Sequence, residues 1–92
     1  MVTVTTKVIN KLGIHARPAS NLTLKAKEFE SEITIKNLSA KNPIPVNAKS
    51  IMKILVASIT TGSLVEISAE GKDEQKAVDE LITLFEEGFS EE

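Results

Sequence analysis

The sequence predicts an α+β fold in which an antiparallel sheet carries helices on one face, the split βαβ arrangement. The first observation is that the apolar spacing switches repeatedly between two and about 3.6 residues. It gives the order strand, helix, strand, short edge strand, helix, strand, helix. The second is size and composition: 92 residues, 41% hydrophobic and 26% charged, are typical of one globular domain. We therefore expect a single domain over residues 1–92.

The first strand and the first helix are separated by a break in the apolar pattern. Alternation from Val2 to Val8 predicts a strand that ends near Asn10. A helix is predicted from Ala16 to Glu28, and Pro18 is tolerated because it falls in the first turn. The predicted buried face of this helix consists of Ala19, Leu22, Ala26 and Phe29.

The middle of the chain combines a strand with a connection rich in loop-forming residues. Ile33 and Ile35 alternate with polar residues and predict a second strand with one solvated face. The connection from Asn37 to Asn47 follows, and prolines flank Ile44 on both sides. Because proline has no N–H to donate, any strand at Ile44 belongs at a sheet edge.

The last third predicts a helix, a strand and a second helix. The run from Ser50 to Ile59 is helical in composition but is apolar on more than one face. Alternation predicts a strand over Leu64 to Ala69, after which Asp73 can cap a final helix that Gly88 stops. We expect the tail from Phe89 to Glu92 to be loose.

Composition excludes several classes of function. With no cysteine there is neither a disulfide nor a thiolate metal site, and the lone histidine provides no metal centre, so we expect no metal and no cofactor. A net charge of −2 and aromatics limited to three phenylalanines argue against nucleic-acid binding. No stretch has the apolar length of a signal peptide or a membrane span. We expect a cytoplasmic protein that does not insert into membranes.

The one histidine, His15, lies where the first strand gives way to the helix, and Arg17 follows two residues later. A helix N-terminus offers unpaired N–H groups and partial positive charge to a phosphoryl group on the imidazole. A guanidinium beside it could hold two phosphoryl oxygens. The alternative interpretation is that His15 only caps the helix and Arg17 is a solvated charge.

The string Gly13-Ile14-His15-Ala16-Arg17-Pro18-Ala19 resembles the phosphohistidine signature of the HPr family at seven consecutive positions. The resemblance implies an open-faced sandwich of a four-stranded antiparallel sheet with three helices on one face. It implies a phosphoryl carrier, not an independent enzyme, in the sugar phosphotransferase system. By this resemblance, phosphoenolpyruvate-dependent enzyme I phosphorylates Nδ1 of His15, assisted by Arg17, and enzyme IIA domains receive the group. We expect the carrier to act as a monomer.

A second string, Asn47-Ala48-Lys49-Ser50-Ile51-Met52, resembles the regulatory-serine region of the same family. It implies that an HPr serine kinase can modify Ser50, whereas the structural alternative is a plain N-cap of the second helix. The apolar residues that follow cannot all face the core, so we expect a surface patch for partner docking. Its predicted members are Lys49, Ile51, Met52, Lys53 and Leu55.

Two departures from the family pattern leave an alternative open. Leu12 stands where the family often has a small polar residue, and the connection from Asn37 to Asn47 is longer and richer in proline. The strings Asn10–Gly13 and Phe85–Phe89 also resemble the nitrogen-branch paralogue of HPr. A regulatory paralogue is therefore the alternative within the family. A non-catalytic ligand-binding or nucleic-acid-binding split βαβ module is the alternative from another class.

Overall fold

The structure is a computed structural model that describes residues 1–90. These residues form β1 (Val2–Lys7), α1 (Ala16–Ala26), β2 (Glu32–Asn37), β3 (Val46–Asn47), α2 (Ile51–Val56), β4 (Leu64–Glu70), α3 (Glu74–Glu86) and a 3-10 turn (Gly88–Ser90). The strands form one sheet in the order β1-β4-β2-β3, and every pairing is antiparallel. The predicted open-faced sandwich is confirmed.

The central strand β4 pairs on both sides, and its alternation decides which face is buried. Val65, Ile67 and Ala69 are almost completely buried, whereas the residues between them are partly exposed. Ile33 and Ile35 of β2 are buried on the same face, since they register with Ala69 and Ile67. The predicted core faces of both strands are therefore confirmed.

The helices cover this buried face and complete one hydrophobic core. Helix α3 packs on β1 and β4, and α1 packs on α2 and α3. The predicted core residues of the first helix are all buried: Ala19, Leu22, Ala26 and Phe29. Helix α3 contributes Ala77, Val78, Leu81 and Phe85. No helix among residues 1–90 has the length and apolar character needed to cross a membrane.

The predicted C-terminal ends of β1 and α1 lie beyond the ends that the structure shows. Strand β1 ends at Lys7, not near Asn10. Val8 still bonds to Ser63 and Gly62, and the chain then enters a turn in which the N–H of Gly13 bonds to Asn10 O at 3.1 Å. Helix α1 ends at Ala26, before the predicted Glu28. There the N–H of Phe29 bonds to Ala26 O at 3.2 Å, a turn that brings Phe29 into the core.

Helix α2 is shorter than predicted and ends at Val56 instead of Ile59. Ser58 has φ 51°, a left-handed conformation that a right-handed helix cannot continue through. The chain then returns Ile59 to the core, where it is 3% exposed. The helix is therefore barely longer than one and a half turns.

The predicted short strand does lie at the edge of the sheet, but it does not include Ile44. It is β3, Val46–Asn47, and it begins only after the second proline, Pro45. Proline cannot donate to the sheet, so pairing with β2 starts where both partners have N–H groups. The segment before β3 remains loop, and Ile44 is 68% exposed.

Asp73 and Phe89 also behave differently from the prediction. Within residues 1–90 the Asp73 carboxylate makes no capping bond to α3, but it accepts hydrogen bonds from the Glu30 and Ser31 N–H groups and from the Ser31 hydroxyl. Phe89 is not loose but 4% exposed, with its ring edge-on to Phe85. Glu91 and Glu92 lie outside the described residues.

Candidate functional site

His15 occupies the N-cap position of α1, as its place in the sequence predicts. Its backbone is extended, with φ −92° and ψ −164°, and its carbonyl accepts the N–H of Ala19 at 3.0 Å. Within residues 1–90 the imidazole makes no capping hydrogen bond, and the residue is partly exposed. The backbone of His15 thus starts the helix while its side chain is not used as a cap.

The loop before His15 is fixed against the loop that follows α2. Gly13 has φ 66°, and a Cβ there would lie 2.7 Å from the carbonyl oxygen of Ile59. The N–H of Ile14 donates to that same oxygen at 2.9 Å, and the Ile14 side chain is buried. Only glycine allows this close approach, so Gly13 and Ile14 hold His15 at a defined position.

Arg17 lies in the first turn of α1, exposed to solvent, and forms no ion pair with any carboxylate among residues 1–90. The N–H groups of Ala16 and Arg17 precede the first intrahelical bond and have no acceptor inside the helix. Pro18 has no N–H and is buried, which fixes the turn. The site therefore presents backbone donors, a guanidinium and an imidazole together, a combination suited to an anion.

Ser50 caps α2 in the structure. Its backbone is extended, with φ −119° and ψ 110°, and its Oγ accepts the Lys53 N–H at 3.4 Å. The N-cap role considered for Ser50 is thus present in the structure. The bond is weak, because 3.4 Å is long for a hydrogen bond. A cap that remains partly exposed is also accessible to modification. Its regulatory role stays a prediction.

The predicted docking residues of α2 differ in exposure. Met52 is 66% exposed, Ile51 is 36% exposed and Leu55 is partly buried against the core. Ile54 supplies the core contact of this helix and is fully buried. Val56, which the sequence analysis did not single out, is 73% exposed. The helix therefore carries more apolar surface than the core uses.

The two lysines predicted for docking have different environments. Lys53 is exposed and forms no ion pair within the described residues 1–90. The Lys49 ammonium donates to the carbonyl oxygen of Phe29 at 2.7 Å and is partly buried. Its charge is thus directed towards the end of α1, so Lys53 is the more available of the two.

A groove beside α2 was missed by sequence reasoning. It has a volume of about 340 Å³, and its lining includes Ile44, Val46, Lys53, Val56 and Ala57. The loop between β2 and β3 forms one wall, so the long connection noted in the sequence is what creates it. The exposed Ile44 between two prolines was the available sequence indication.

Leu12 and the three phenylalanines add no polar group to the site. Leu12 is 75% exposed on the loop that carries His15. The three phenylalanines, Phe29, Phe85 and Phe89, are buried and offer no ring for base stacking. Among residues 1–90 no group of three or more acidic, histidine or cysteine side chains is placed to hold a metal ion.

Comparison with protein families gives one match that covers most of the chain. The model PTS-HPr, described as "PTS HPr component phosphorylation site", matches residues 2–87. The phosphocarrier protein HPr of Treponema pallidum is 39% identical over 92 residues, which covers all of both proteins. The phosphocarrier protein NPr of Proteus mirabilis is 39% identical over 83 residues, 90% of this chain and 89% of that protein.

Solved structures agree with the sequence relatives. A crystal structure of HPr from Thermoanaerobacter tengcongensis superposes with a TM-score of 0.90 at 42% identity, covering 100% of this chain and 99% of that one. A crystal structure of an HPr dimer from the same organism gives a TM-score of 0.72 at 42% identity, with 97% and 98% covered.

Proposed function

The chain belongs to the PTS-HPr family of phosphotransferase-system phosphocarriers, and from this we propose that it carries a phosphoryl group on His15. Enzyme I, charged by phosphoenolpyruvate, is the proposed donor, and enzyme IIA domains of sugar transporters are the proposed acceptors. The observation that carries the proposal is the pairing of His15 at the N-cap of α1 with an exposed Arg17 that no carboxylate among residues 1–90 engages.

The chemistry is a displacement at phosphorus. The Nδ1 lone pair of His15 attacks the phosphoryl group on the donor, so that a P–N bond forms on His15 as the bond to the donor breaks. The charge on the transferred oxygens meets the Arg17 guanidinium and the amides of Ala16 and Arg17. Transfer to the acceptor repeats the displacement in the opposite direction and restores the free imidazole. No metal or cofactor has a role in this scheme.

Partner docking is proposed for the exposed side of α2. Ile51, Met52 and Leu55 provide apolar surface, and Lys49 and Lys53 flank it with positive charge. Helix α2 packs against α1, the helix that carries His15 at its start. A partner bound across both helices would therefore cover apolar side chains and reach the phosphorylation site together.

Regulation through Ser50 is part of the same proposal. Ser50 lies immediately before the proposed docking residues and is partly exposed, so a kinase could reach its hydroxyl. A phosphate there would place a dianion beside apolar side chains that a partner has to desolvate. An HPr serine kinase is the proposed enzyme.

A regulatory carrier of the nitrogen branch is the second candidate. The NPr of Proteus mirabilis and the HPr of Treponema pallidum are equally similar to this chain at 39% identity, so the observation that favours this candidate is the exposed Leu12, which cannot hydrogen-bond a phosphoryl oxygen. The two candidates differ in their donor, since each branch has its own enzyme I. In either case we propose a cytoplasmic protein that acts as a monomer, although a related HPr crystallises as a dimer.

The test is phosphorylation by purified enzyme I of each branch with phosphoenolpyruvate, followed by intact mass measurement. We expect one phosphoryl group, on His15, that is lost in acid and retained in base. His15→Ala is the control and should gain no mass. An acid-stable adduct, or equal labelling of the His15→Ala variant, would show that the phosphorylated residue is a different one. The faster enzyme I identifies the branch.

A further inference from the structure

We infer that Asn10 and the 3-10 turn Gly88–Ser90 form a positioning element for His15, in which the turn covers Asn10 and Asn10 holds the loop that carries His15. The inference rests on the proposed function and adds to it two positioning residues, Asn10 and Phe89. Neither residue is expected to touch the phosphoryl group. Both are expected to act through the backbone between Gly13 and His15.

Asn10 is tied to the loop at two points. Its side-chain Nδ2 donates to the Gly13 carbonyl oxygen at 2.6 Å, and its own carbonyl oxygen accepts the Gly13 N–H at 3.1 Å. The residue is only 5% exposed, so water has little access to either bond. The peptide that follows Gly13 is therefore fixed from one side by Asn10 and from the other by the bond from Ile14 to Ile59. His15 is the next residue.

The turn Gly88–Ser90 lies beside the start of this loop, at Ile9 and Asn10. A Cβ placed on Gly88 would lie 3.5 Å from Ile9 Cγ1 and 3.7 Å from Asn10 Cβ, an ordinary contact distance, so the turn lies next to both residues. Phe89 is 4% exposed, and its ring stands edge-on to Phe85 at a centroid distance of 4.9 Å and an angle of 72°. Phe85 belongs to the core and is fully buried, so the turn is anchored there.

The backbone of the turn indicates that packing holds it in place. Gly88, Phe89 and Ser90 have φ values of 59°, 56° and 60°, and two of these residues are not glycine. A left-handed conformation is unfavourable for phenylalanine and persists only where surrounding contacts outweigh the strain. Burial of the Phe89 ring supplies contacts that can outweigh this strain. Removing the ring should therefore release the turn from Asn10.

The turn lies beyond the residues that the family model matches, which end at position 87. The two stretches involved are also those whose sequences resemble the nitrogen-branch paralogue, Asn10–Gly13 and Phe85–Phe89. The structure places Gly88 of the second stretch beside Asn10 of the first. A change in one stretch therefore has a direct physical route to the other, and through it to His15.

The experiment is a double-mutant cycle of Asn10→Ala and Phe89→Ala in the full chain, measured by the rate of phosphorylation by enzyme I. We expect each single change to lower kcat about tenfold with KM little altered, since a shift well below 1 Å in a reacting group has an effect of that order. The double variant should be little slower than either single variant, because both changes act on one contact. Additive effects would overturn the inference.

Two further variants separate positioning from general loss of stability. Ile33→Ala removes a buried side chain at the opposite end of the sheet, where Ile33 registers with Ala69 and Ala69 with Val2. It should lower the thermal midpoint yet keep kcat. Phe89→Leu fills much of the same space and should restore most of the rate lost in Phe89→Ala. If Ile33→Ala slows transfer as much as Phe89→Ala at an equal midpoint, the inference is wrong.

A readout independent of enzyme I distinguishes this inference from the proposed function. In ¹⁵N-labelled protein, Phe89→Ala and Asn10→Ala should shift the His15 ring resonances and speed hydrogen exchange of the Ile14 amide, and Ile33→Ala should leave the ring resonances in place. Unshifted His15 resonances in both variants overturn the positioning role. A wild-type protein that enzyme I does not phosphorylate, but whose resonances respond as expected, overturns only the proposed function.

Discussion

Arg17 and Gly13 illustrate two different reasons why a single residue matters at this site. Gly13 is required for its shape, because its left-handed backbone and the carbonyl of Ile59 leave no room for a Cβ. Arg17 packs against little, being exposed, so its value lies in charge and geometry. Substitution at the first position should damage the fold locally, whereas substitution at the second should affect transfer alone.

Arg17→Ala should slow phosphorylation of His15 by roughly a hundredfold, an effect typical of losing one group that stabilises transferred charge. Thermal unfolding should be almost unchanged, because surface substitutions away from packing alter stability by about 0.5 kcal/mol or less. Arg17→Lys is the matched control: it retains the charge but loses the planar fork, and we expect an intermediate rate. A wild-type rate in Arg17→Ala would remove Arg17 from the mechanism.

Single residues also show what the sequence could and could not predict about the site. His15 and Arg17 could be placed because a helix start is a local feature, visible in the string from Gly13 to Ala19. The role proposed for Asn10 could not, because it involves a turn almost eighty positions later in the chain, which only the fold brings beside Asn10. Lys49 is similar, since its bond to Phe29 O depends on how α1 and α2 pack.

Among the elements, α2 shows the largest difference between prediction and structure. From apolar composition alone the helix is predicted to reach Ile59. In the structure Ser58 adopts a left-handed conformation, and the helix ends at Val56. The prediction that some apolar residues of this segment would be left outside the core agrees with the exposure of Met52. Periodicity gives the buried face of an element more reliably than its end, because ends depend on individual backbone angles.

Ser50→Asp should lower the rate of phosphorylation by enzyme I about tenfold while leaving the thermal midpoint near that of wild type. Aspartate caps a helix as well as serine does, so the start of α2 is retained, and the new charge falls beside the proposed docking residues. Ser50→Asn is the matched control, because asparagine caps equally well and is uncharged. Its rate should stay near that of wild type.

Two outcomes would contradict this account of Ser50. A midpoint that falls sharply in Ser50→Asp but not in Ser50→Asn would mean that the charge acts on the fold. An unchanged rate together with an unchanged midpoint would leave Ser50 as a helix cap only. The KM for the carrier is the informative parameter, since a docking effect should appear there before it appears in kcat.

At the scale of the whole molecule, two turns that are distant in sequence pack against each other. One turn follows α1 and contains Glu30 and Ser31, and the other precedes α3 and contains Gly71 and Asp73. A Cβ on Gly71 would lie 2.7 Å from Ser31 Cα, which shows how closely the turns approach. The residue that sequence reasoning assigned to capping α3 is instead used to join these turns.

This contact makes the stability of the whole fold depend on pH through Asp73. The Ser31 hydroxyl, and then the N–H groups of Glu30 and Ser31, hold the pKa of Asp73 below its usual 3.8, and burial opposes them only in part. A carboxylate whose folded-state pKa is lowered stabilises the fold above its unfolded-state pKa. That contribution is lost as the pH falls through the lowered value. The stabilisation should therefore be complete at neutral pH and disappear in strong acid.

Asp73→Asn should accordingly lower the thermal midpoint by several degrees at neutral pH and should bring it close to that of wild type in strong acid. The two midpoints should converge as the pH falls through the usual carboxylate pKa of 3.8 and then through the lower pKa of Asp73 in the folded protein. Asp79→Asn removes a carboxylate from the exposed side of α3 and is the control for losing one charge. A midpoint difference between wild type and Asp73→Asn that stays constant across this range would mean that the contact acts through shape and not through the charge of Asp73.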